Sequence, residues 1–234
     1  FRAAREEWNS LPRKKQAMVV KSRHDVLEDL LDELFTAPSE TTGREQADIT
    51  GLVGQYAHGN EPSHHIAYLY NATNNPGKTS YWVAKILNSQ YQNAPDGLSG
   101  NEDCGQMSAW YVMASMGLYP LVPGKPHYQL STPKWDAIQL ELAGGKSLKI
   151  STKGSGSYIT SYTLAGELIP DQQKRYVTHD QLIEGGTWKV ERGTVEGLWK
   201  TTQRYTTSLN NPTPPAPIIR VNRTFSGNTP VEII

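Results

Sequence analysis

The spacing of apolar residues changes from helical to strand-like near the middle of this 234-residue chain. In the first half, apolar side chains recur every three or four residues, which is the period of an α-helix. In the second half they alternate with polar ones, as they do in a half-buried β-strand. The change predicts an α+β fold with a helical part over residues 1–123 and a β-rich part over residues 124–234.

Four helices are predicted in the first half. The first ends before Pro38, and its apolar stripe consists of Val26, Leu27, Leu30, Leu31, Leu34 and Phe35. Its acidic residues are expected on the solvent side: Asp25, Glu28, Asp29 and Asp32. The second begins near Pro62 and runs through SHHIAYLYN. The third covers KTSYWVAKILNSQY, with Thr79 or Ser80 as its cap, and its predicted buried face consists of Trp82, Val83, Ile86 and Leu87. The fourth lies in QMSAWYVMASM and is closed by Gly117.

The second half is predicted to consist of short strands. AIQLELA and SLKIST flank a Gly-Gly pair and have the alternation of a β-hairpin. Further strands are predicted in YITSYTL, RYVTH, TWKVE and IIRVN. Short strands separated by turns are typical of a β-sandwich, whereas alternating strands and helices would indicate a parallel sheet. The β-rich part is therefore expected to be sandwich-like.

Composition excludes several classes of protein. The 23 basic and 23 acidic residues give zero net charge, whereas nucleic acids and anionic membranes attract basic surfaces. No stretch of apolar residues is long enough to span a membrane, and FRAAREEWNS lacks the apolar segment of a secretory signal. Cys104 is the single cysteine, which rules out an internal disulfide, and it is expected to be a buried, inert thiol.

Polar side chains that could take part in binding or catalysis cluster in two loops that precede predicted helices. The segment GNEPSHH contributes Asn60, Glu61, His64 and His65. The segment GLSGNEDCGQ contributes Asn101, Glu102, Asp103 and Gln106. Because the start of a helix carries free N–H groups and the positive end of its dipole, Glu61 and Asp103 could be first-turn acids with a purely structural role.

The functional interpretation takes the two loops together. If the helices pack side by side, Asn60, Glu61 and Asp103 bring oxygen ligands into one concavity, as a hard cation such as calcium requires. The same place would suit a sugar, because glycoside hydrolysis needs two carboxyl groups facing each other across the bond. Aromatic residues nearby could stack on a sugar, although their helical spacing favours core packing: Trp82, Trp110, Tyr91 and Tyr111.

The sequence also contains an adjacent pair of histidines and two patterns for N-glycosylation. Adjacent helical residues point about 100° apart, so only one of His64 and His65 can face a site, and their spacing does not match a zinc motif. Asn71-Ala-Thr73 and Asn222-Arg-Thr224 match the pattern for N-glycosylation.

Two long segments resemble the calcium-dependent exo-α-mannosidases of glycoside hydrolase family 92: TGREQADITGLVGQYAHGNEPSHHIAYLYN and PDGLSGNEDCGQMSAWYVMASMGLYPLVPG. Motifs of this length in the correct order are far more specific than a short pattern. The resemblance implies inverting hydrolysis of terminal α-mannose, in an active site between an N-terminal β-sandwich and an (α/α)6 helical barrel. This chain would then hold the last helices of the barrel and the β-rich segment after them.

The resemblance also implies roles for individual residues. Asp103 resembles the general base that activates water, and Asn101 occupies a catalytic position at which relatives carry an acid. The implied calcium ligands are Asn60, Glu61 and Asp103, and the implied substrate-binding residues are Glu102, His64, His65 and Gln106. The family's general acid lies in a tryptophan-containing motif that FRAAREEWNSLPRKKQAMVVK does not reproduce. Because inversion needs both carboxyl groups, the isolated chain is expected to be inactive.

The expected partners follow from the same resemblance. They are a mannose-containing glycan, with α-1,2 as the expected linkage although no residue here fixes it, and the remainder of the enzyme. Apolar stripes without their barrel neighbours also predict self-association. The expected location is secreted or periplasmic. An alternative interpretation is a non-catalytic carbohydrate-binding or interaction module in which the β-rich half is the working part.

Overall fold

The computed structural model describes residues 23–40, 49–168 and 175–194, together with two short strands at 219–220 and 232–233. The chain divides into two compact units, Phe1–Arg204 and Tyr205–Ile234. The larger unit contains all the described elements up to residue 194, both helical and β-rich. The mixed helix and sheet content agrees with the predicted α+β class, while the domain division at residue 123 stays a prediction.

In the described part of the first half there are three α-helices, with two 3-10 helices between the first and the second. The α-helices are α1 (Arg23–Thr36), α2 (Gly77–Ser89) and α3 (Gln106–Ser115); the 3-10 helices cover Glu61–Ser63 and Ile66–Ala72. The 3-10 segments replace the α-helix predicted from Pro62. Their backbone bonds reach back three residues, as from His64 N to Glu61 O, so the chain is wound more tightly than in an α-helix.

The prediction that all the acidic residues of α1 face solvent is wrong. Glu28 is only 9% exposed, and Lys78 of α2 donates hydrogen bonds to Glu28 Oε1 at 2.9 Å and to Asp32 Oδ2 at 2.6 Å. Val26 and Leu30, which belong to the predicted apolar stripe, are 45% and 59% exposed. The helix therefore turns part of its acidic side towards α2, because Lys78 provides a partner there for both carboxylates.

The predicted cap of α2 is also wrong, although its buried face is confirmed. The helix begins at Gly77, so Thr79 and Ser80 lie inside it and are buried. Ser80 Oγ accepts a hydrogen bond from Thr132 N at 3.1 Å, which links α2 to the β-rich half. The buried apolar residues of α2 are Trp82, Val83, Ile86 and Leu87.

In the larger unit the described strands form two short antiparallel sheets and one larger mixed sheet. A hairpin pairs β1 (Leu52–Val53) with β2 (Tyr56–Ala57), and a three-stranded sheet has the order β3 (Leu118–Tyr119), β4 (His127–Leu130), β9 (Tyr176–Thr178). The five-stranded sheet has the strand order β5 (Ala137–Glu141), β6 (Ser147–Gly154), β10 (Gly186–Gly193), β7 (Tyr158–Leu164), β8 (Glu167–Leu168).

The predicted hairpin is confirmed, because β5 and β6 pair antiparallel from Ala137 with Ser151 to Glu141 with Ser147. The pair β6 and β10 is parallel, and the short helix α4 (His179–Glu184) leads into β10. In the smaller unit, β11 (Ile219–Arg220) lies within the predicted strand IIRVN and pairs antiparallel with β12 (Glu232–Ile233), which was not predicted.

Two hydrophobic clusters form the core of the larger unit. The first is built by the helices and the β1–β2 hairpin and includes Phe35, Tyr68 and Trp110. The second joins residues of both larger sheets, including Leu130 of β4 and Trp188 of β10. No described helix is long and apolar enough to cross a membrane.

Candidate active site

The two polar loops of the first half touch through their backbones. Gly59 precedes Asn60, and Gly100 precedes Asn101. A Cβ built on Gly100 would lie 2.8 Å from Gly59 Cα, and a Cβ built on Gly59 would lie 3.0 Å from Ser99 O. Since neither contact leaves room for a side chain, glycine at both positions allows the GNEP and GNED segments to lie side by side.

His64 ties the same two loops together through hydrogen bonds. Its side chain is buried, and Nε2 lies 3.0 Å from His58 O, which can only accept, so Nε2 carries the proton. Nδ1 is then the acceptor for Gln106 Nε2 at 3.3 Å. Trp110 Nε1 also donates to His64 O at 3.1 Å. Because its nitrogen is turned to His64, Gln106 keeps its amide oxygen, at the start of α3, without a hydrogen-bond partner among the described residues.

A second buried histidine, His58, stacks on His64 and is held by hydrogen bonds with two tyrosines. Tyr91 OH donates to Met107 O at 3.2 Å, so it must accept the hydrogen bond from His58 Nε2 at 2.7 Å. Tyr56 OH, 2.9 Å from Nδ1, is then the donor to the other side of the His58 ring. Burial, together with the stacked ring of His64 4.7 Å away between centroids, lowers the pKa of His58 to about 3.

Burial also lowers the pKa of His64, although its bond to His58 O acts in the opposite direction. Both rings are therefore neutral at physiological pH, and their hydrogen-bond directions are fixed by their neighbours. They act as rigid supports that connect the β1–β2 hairpin to the start of α3.

Asp103 lies in an unusual turn just before α3. Asp103, Cys104 and Gly105 all have positive φ, of 46°, 57° and 86°, and two of them carry side chains that disfavour this region. The turn exposes Asn101, Asp103 and Cys104 to solvent. The prediction of a buried thiol is therefore wrong, because the left-handed turn carries Cys104 along the surface instead of into the core.

Glu102 has a structural role that the neighbouring Asp103 does not share. Its Oε1 accepts a hydrogen bond from Ser108 N at 3.0 Å and its Oε2 accepts one from Ser108 Oγ at 2.8 Å. The carboxylate thus satisfies a free N–H group in the first turn of α3 and is stabilised by the helix dipole. The first-turn interpretation considered for acids in these loops applies to Glu102.

Glu61 differs from Glu102 because one of its oxygens has no partner. Oε1 of Glu61 is buried and makes no hydrogen bond within the part of the chain that the structure describes, and the same holds for Thr50 Oγ1 and Ser99 Oγ. Asn60 occupies the cap position of the first 3-10 helix without a side-chain cap bond. Buried polar atoms are nearly always paired, so an unpaired carboxylate oxygen here indicates a place for a ligand or cation.

The side chains offered by the two adjacent loops are of the type that calcium prefers. Asn60, Glu61 and Asp103 all offer oxygen, and calcium binds about six to eight oxygen ligands. Across residues 23–40, 49–168 and 175–194, no three or more His, Cys, Asp or Glu side chains are grouped to hold a metal ion. The residues therefore fit a hard cation in kind, and further oxygens would have to come from carbonyls, water or a sugar.

The structure separates the two adjacent histidines, since His64 is buried and His65 is exposed. Their assignment to substrate binding, like those of Glu102 and Gln106, stays a prediction.

Of the four aromatic candidates for stacking on a sugar, Trp82 and Trp110 are buried in the core. Tyr91 and Tyr111 line a pocket of about 720 Å³ together with Glu102, Lys134 and Trp135. The sequence analysis missed this pocket, since its walls come from segments far apart in the chain.

The sequence profile of the glycosyl hydrolase family 92 catalytic domain matches residues 20–194. The chain belongs to glycosyl hydrolase family 92. This confirms the resemblance found in the two long loop-containing segments.

Solved structures agree with the family assignment. A family 92 α-mannosidase from Bacteroides thetaiotaomicron, in complex with mannoimidazole, is 34% identical with a TM-score of 0.69, over 75% of this family 92 chain and 23% of its own. A family 92 inverting mannosidase from the same organism is 32% identical with a TM-score of 0.63, over 76% of this chain and 25% of its own.

An uncharacterized secreted glycosidase from Arthroderma benhamiae is 28% identical over 151 residues, which are 62% of this chain and 19% of that protein. The chain thus spans about a fifth to a quarter of the length of these relatives.

Proposed function

We propose that this family 92 chain supplies the water-activating side of a calcium-dependent inverting α-mannosidase, which releases terminal α-mannose from glycans. The observation that carries the proposal is the backbone contact between Gly59 and Gly100, which sets the loop of Glu61 beside the loop of Asp103. Mannose as the sugar is supported by two related structures, both named mannosidases and one of them bound to mannoimidazole. The α-1,2 linkage is part of the proposal.

Asp103 is proposed as the general base. Its carboxylate is exposed at the turn before α3, where it can take a proton from a water molecule. The water oxygen then attacks the anomeric carbon, the bond to the leaving oxygen breaks, and that oxygen takes a proton from a separate acid. Glu102 is less suited to be the base, because both of its oxygens are already bonded to Ser108.

Asn60, Glu61 and Asp103 are proposed as calcium ligands, on the evidence of the unpaired buried oxygen of Glu61. When bound, calcium would hold sugar hydroxyl groups and provide positive charge next to the reacting ring. The free amide oxygen of Gln106, oriented by His64, is proposed to accept a hydrogen bond from a sugar hydroxyl. Asn101 and His65 are exposed and are proposed to contact the substrate at the rim of the site.

The general acid is proposed to come from elsewhere in the enzyme. Glu6 and Glu7 beside Trp8, the sequence elements nearest to the family's acid motif, lie outside the described residues. The partners completing the site would be further helices of an (α/α)6 barrel and an N-terminal β-sandwich, and the shared core of α1, α2 and α3 is consistent with part of a helical barrel. Secretion or a periplasmic location is proposed from the relative named a secreted glycosidase.

Calcium-linked stability tests the metal part of the proposal. A ligand that binds only the folded state stabilises it, by about 2.7 kcal/mol at a free concentration one hundred times Kd. We expect calcium to raise the melting temperature of the chain relative to EGTA, and Glu61→Gln to abolish the rise. Glu33→Gln, at an exposed acid of α1, is the control that should keep it. An equal rise in the Glu61 variant, or none in the wild type at millimolar calcium, would contradict the ligand assignment.

The sugar part is tested with mannoimidazole, the ligand of the related structure. We expect it to bind more tightly with calcium than with EGTA, and Glu61→Gln to remove this difference in calorimetry. Hydrolysis of an aryl α-mannoside by the chain alone should be undetectable, because the acid is not assigned to it. Turnover by this chain at a rate normal for a glycosidase would show that the acid is present and that its assignment elsewhere is wrong.

A further inference from the structure

A pocket with several polar side chains lies beside Glu102. Its volume is about 720 Å³, within the range of roughly 300–1,000 Å³ found for small-molecule sites. One wall is the loop from Tyr91 to Leu98, and the others are the exposed side of α3 and residues 134–135. None of the roles proposed above uses this pocket, apart from the structural carboxylate of Glu102.

Aromatic rings in the pocket lining provide a flat apolar surface on which a ligand can pack. Trp135 lines it and is 51% exposed, although an indole is normally largely buried in a folded protein. Lys134 Nζ lies 5.7 Å from the centroid of the Trp135 ring and 5.2 Å from that of Tyr111, so a single cation orders both rings. An exposed, ordered aromatic surface of this kind can pack against the C–H face of a pyranose.

The polar groups of the pocket can form hydrogen bonds with sugar hydroxyl groups, and the charges in its lining cancel. Lys134 Nζ donates one hydrogen bond, to Leu87 O at 3.3 Å, which leaves two further donors for a ligand. The amides of Gln92 and Asn93 can both donate and accept. The charged groups of the lining are Lys134 and Glu102, one of each sign, so neither an anion nor a cation is favoured.

We propose that this pocket binds a neutral sugar unit and acts as an additional glycan-binding subsite next to the Asp103 turn. It opens beside Glu102, the residue that precedes Asp103, so a glycan held in it lies close to the proposed base. The proposal deepens the proposed function, on which its choice of sugar rests: besides the terminal mannose, the enzyme would hold a sugar of a branched glycan that is not attached through the cleaved bond. Binding here needs no calcium, because the proposed calcium ligands are absent from the lining.

The independence from calcium makes the proposal testable apart from the active site. A neutral α-manno-oligosaccharide should bind the full chain in EGTA, measured by ligand-observed NMR, and should bind equally to Asp103→Asn and Glu61→Gln. Trp135→Ala should weaken binding by roughly tenfold or more, the effect typical of truncating an aromatic anchor. Trp135→Phe should restore part of the affinity, and Tyr81→Ala, at an exposed tyrosine outside the pocket, is the matched control.

Melting temperatures of the variants should match the wild type, since Trp135 is exposed. If Trp135→Ala fails to fold, Val112→Trp, which narrows the pocket from an exposed position of α3, should weaken binding in the same way. Three results would overturn the subsite: no binding in EGTA, binding unaffected by Trp135→Ala or Val112→Trp, or a negatively charged sugar binding more tightly than the neutral one. Binding lost in Asp103→Asn but kept in Trp135→Ala would favour the proposed active site alone.

Discussion

Acidification should destabilise the chain through His58, the fully buried histidine beneath the two loops. Its pKa is about 3 in the folded state, because of burial and the nearby His64 ring, against about 6.5 when unfolded. Between these values the unfolded chain binds the extra proton, so stability falls as pH decreases. The contribution is constant above about pH 6.5 and is lost progressively between about pH 6.5 and pH 3.

The expected magnitude follows from the two pKa values. At pH 5 the unfolded imidazole is almost fully protonated and the folded one almost fully neutral, which costs about 2 kcal/mol relative to pH 8. His64, whose pKa is also lowered by burial, acts in the same direction. Such a loss is a large share of the total stability of about 5–15 kcal/mol that is usual for a domain.

Urea unfolding at pH 8 and pH 5, followed by tryptophan fluorescence, measures this loss, and His58→Gln isolates the residue responsible. A glutamine can still accept from Tyr56 OH and donate to Tyr91 OH, yet it cannot take a proton. We expect the free energy of unfolding to fall with acid by about 2 kcal/mol less in His58→Gln than in the wild type. An identical acid-induced loss in the two proteins, or an NMR titration of the His58 ring with a midpoint near 6.5, would refute the reasoning.

Three further predictions concern the glycine contact and the buried Asn71. Gly100→Ala should destabilise the chain by about 1–3 kcal/mol in urea unfolding, because its Cβ would lie 2.8 Å from Gly59 Cα, whereas Asn101→Ala, at an exposed neighbour, should change stability by less than about 0.5 kcal/mol. Asn71→Ala should cost about 1–3 kcal/mol, because Nδ2 donates to Gln129 Oε1 at 3.1 Å and to Leu130 O at 3.2 Å. The same burial predicts that mass spectrometry finds no glycan on Asn71 in the folded protein, and an occupied site there would contradict the buried position.

Local patterns predicted the elements whose residues repeat with a regular period. The hairpin of β5 and β6 was predicted because alternation and a glycine turn lie within one short stretch. The buried face of α2 was predicted for the same reason, since four apolar residues recur at helical spacing. In both cases the pairing or packing partner did not need to be known.

Prediction failed where a distant partner decides the outcome. Periodicity placed Glu28 in solvent because a carboxylate is polar, but Lys78, fifty residues further along, makes its partial burial favourable. Thr79 and Ser80 have side chains typical of a helix cap. Ser80 Oγ instead accepts a hydrogen bond from Thr132 N, which links α2 to the β-rich half. The pocket of Trp135 escaped notice because its walls come together only in the fold.

The candidate site depends on two glycines, which have no side chain, as much as on its polar residues. The sequence alone identified Glu61 and Asp103 by their chemistry, whereas Gly59 and Gly100 look like ordinary loop glycines. In the structure, these two glycines let one loop lie directly against the other, and His64 and Gln106 then join the loops by a hydrogen bond. A carboxylate placed correctly in either loop would still be misdirected if a methyl group separated them. The geometry of the proposed base and ion ligands is therefore set by the glycine contact.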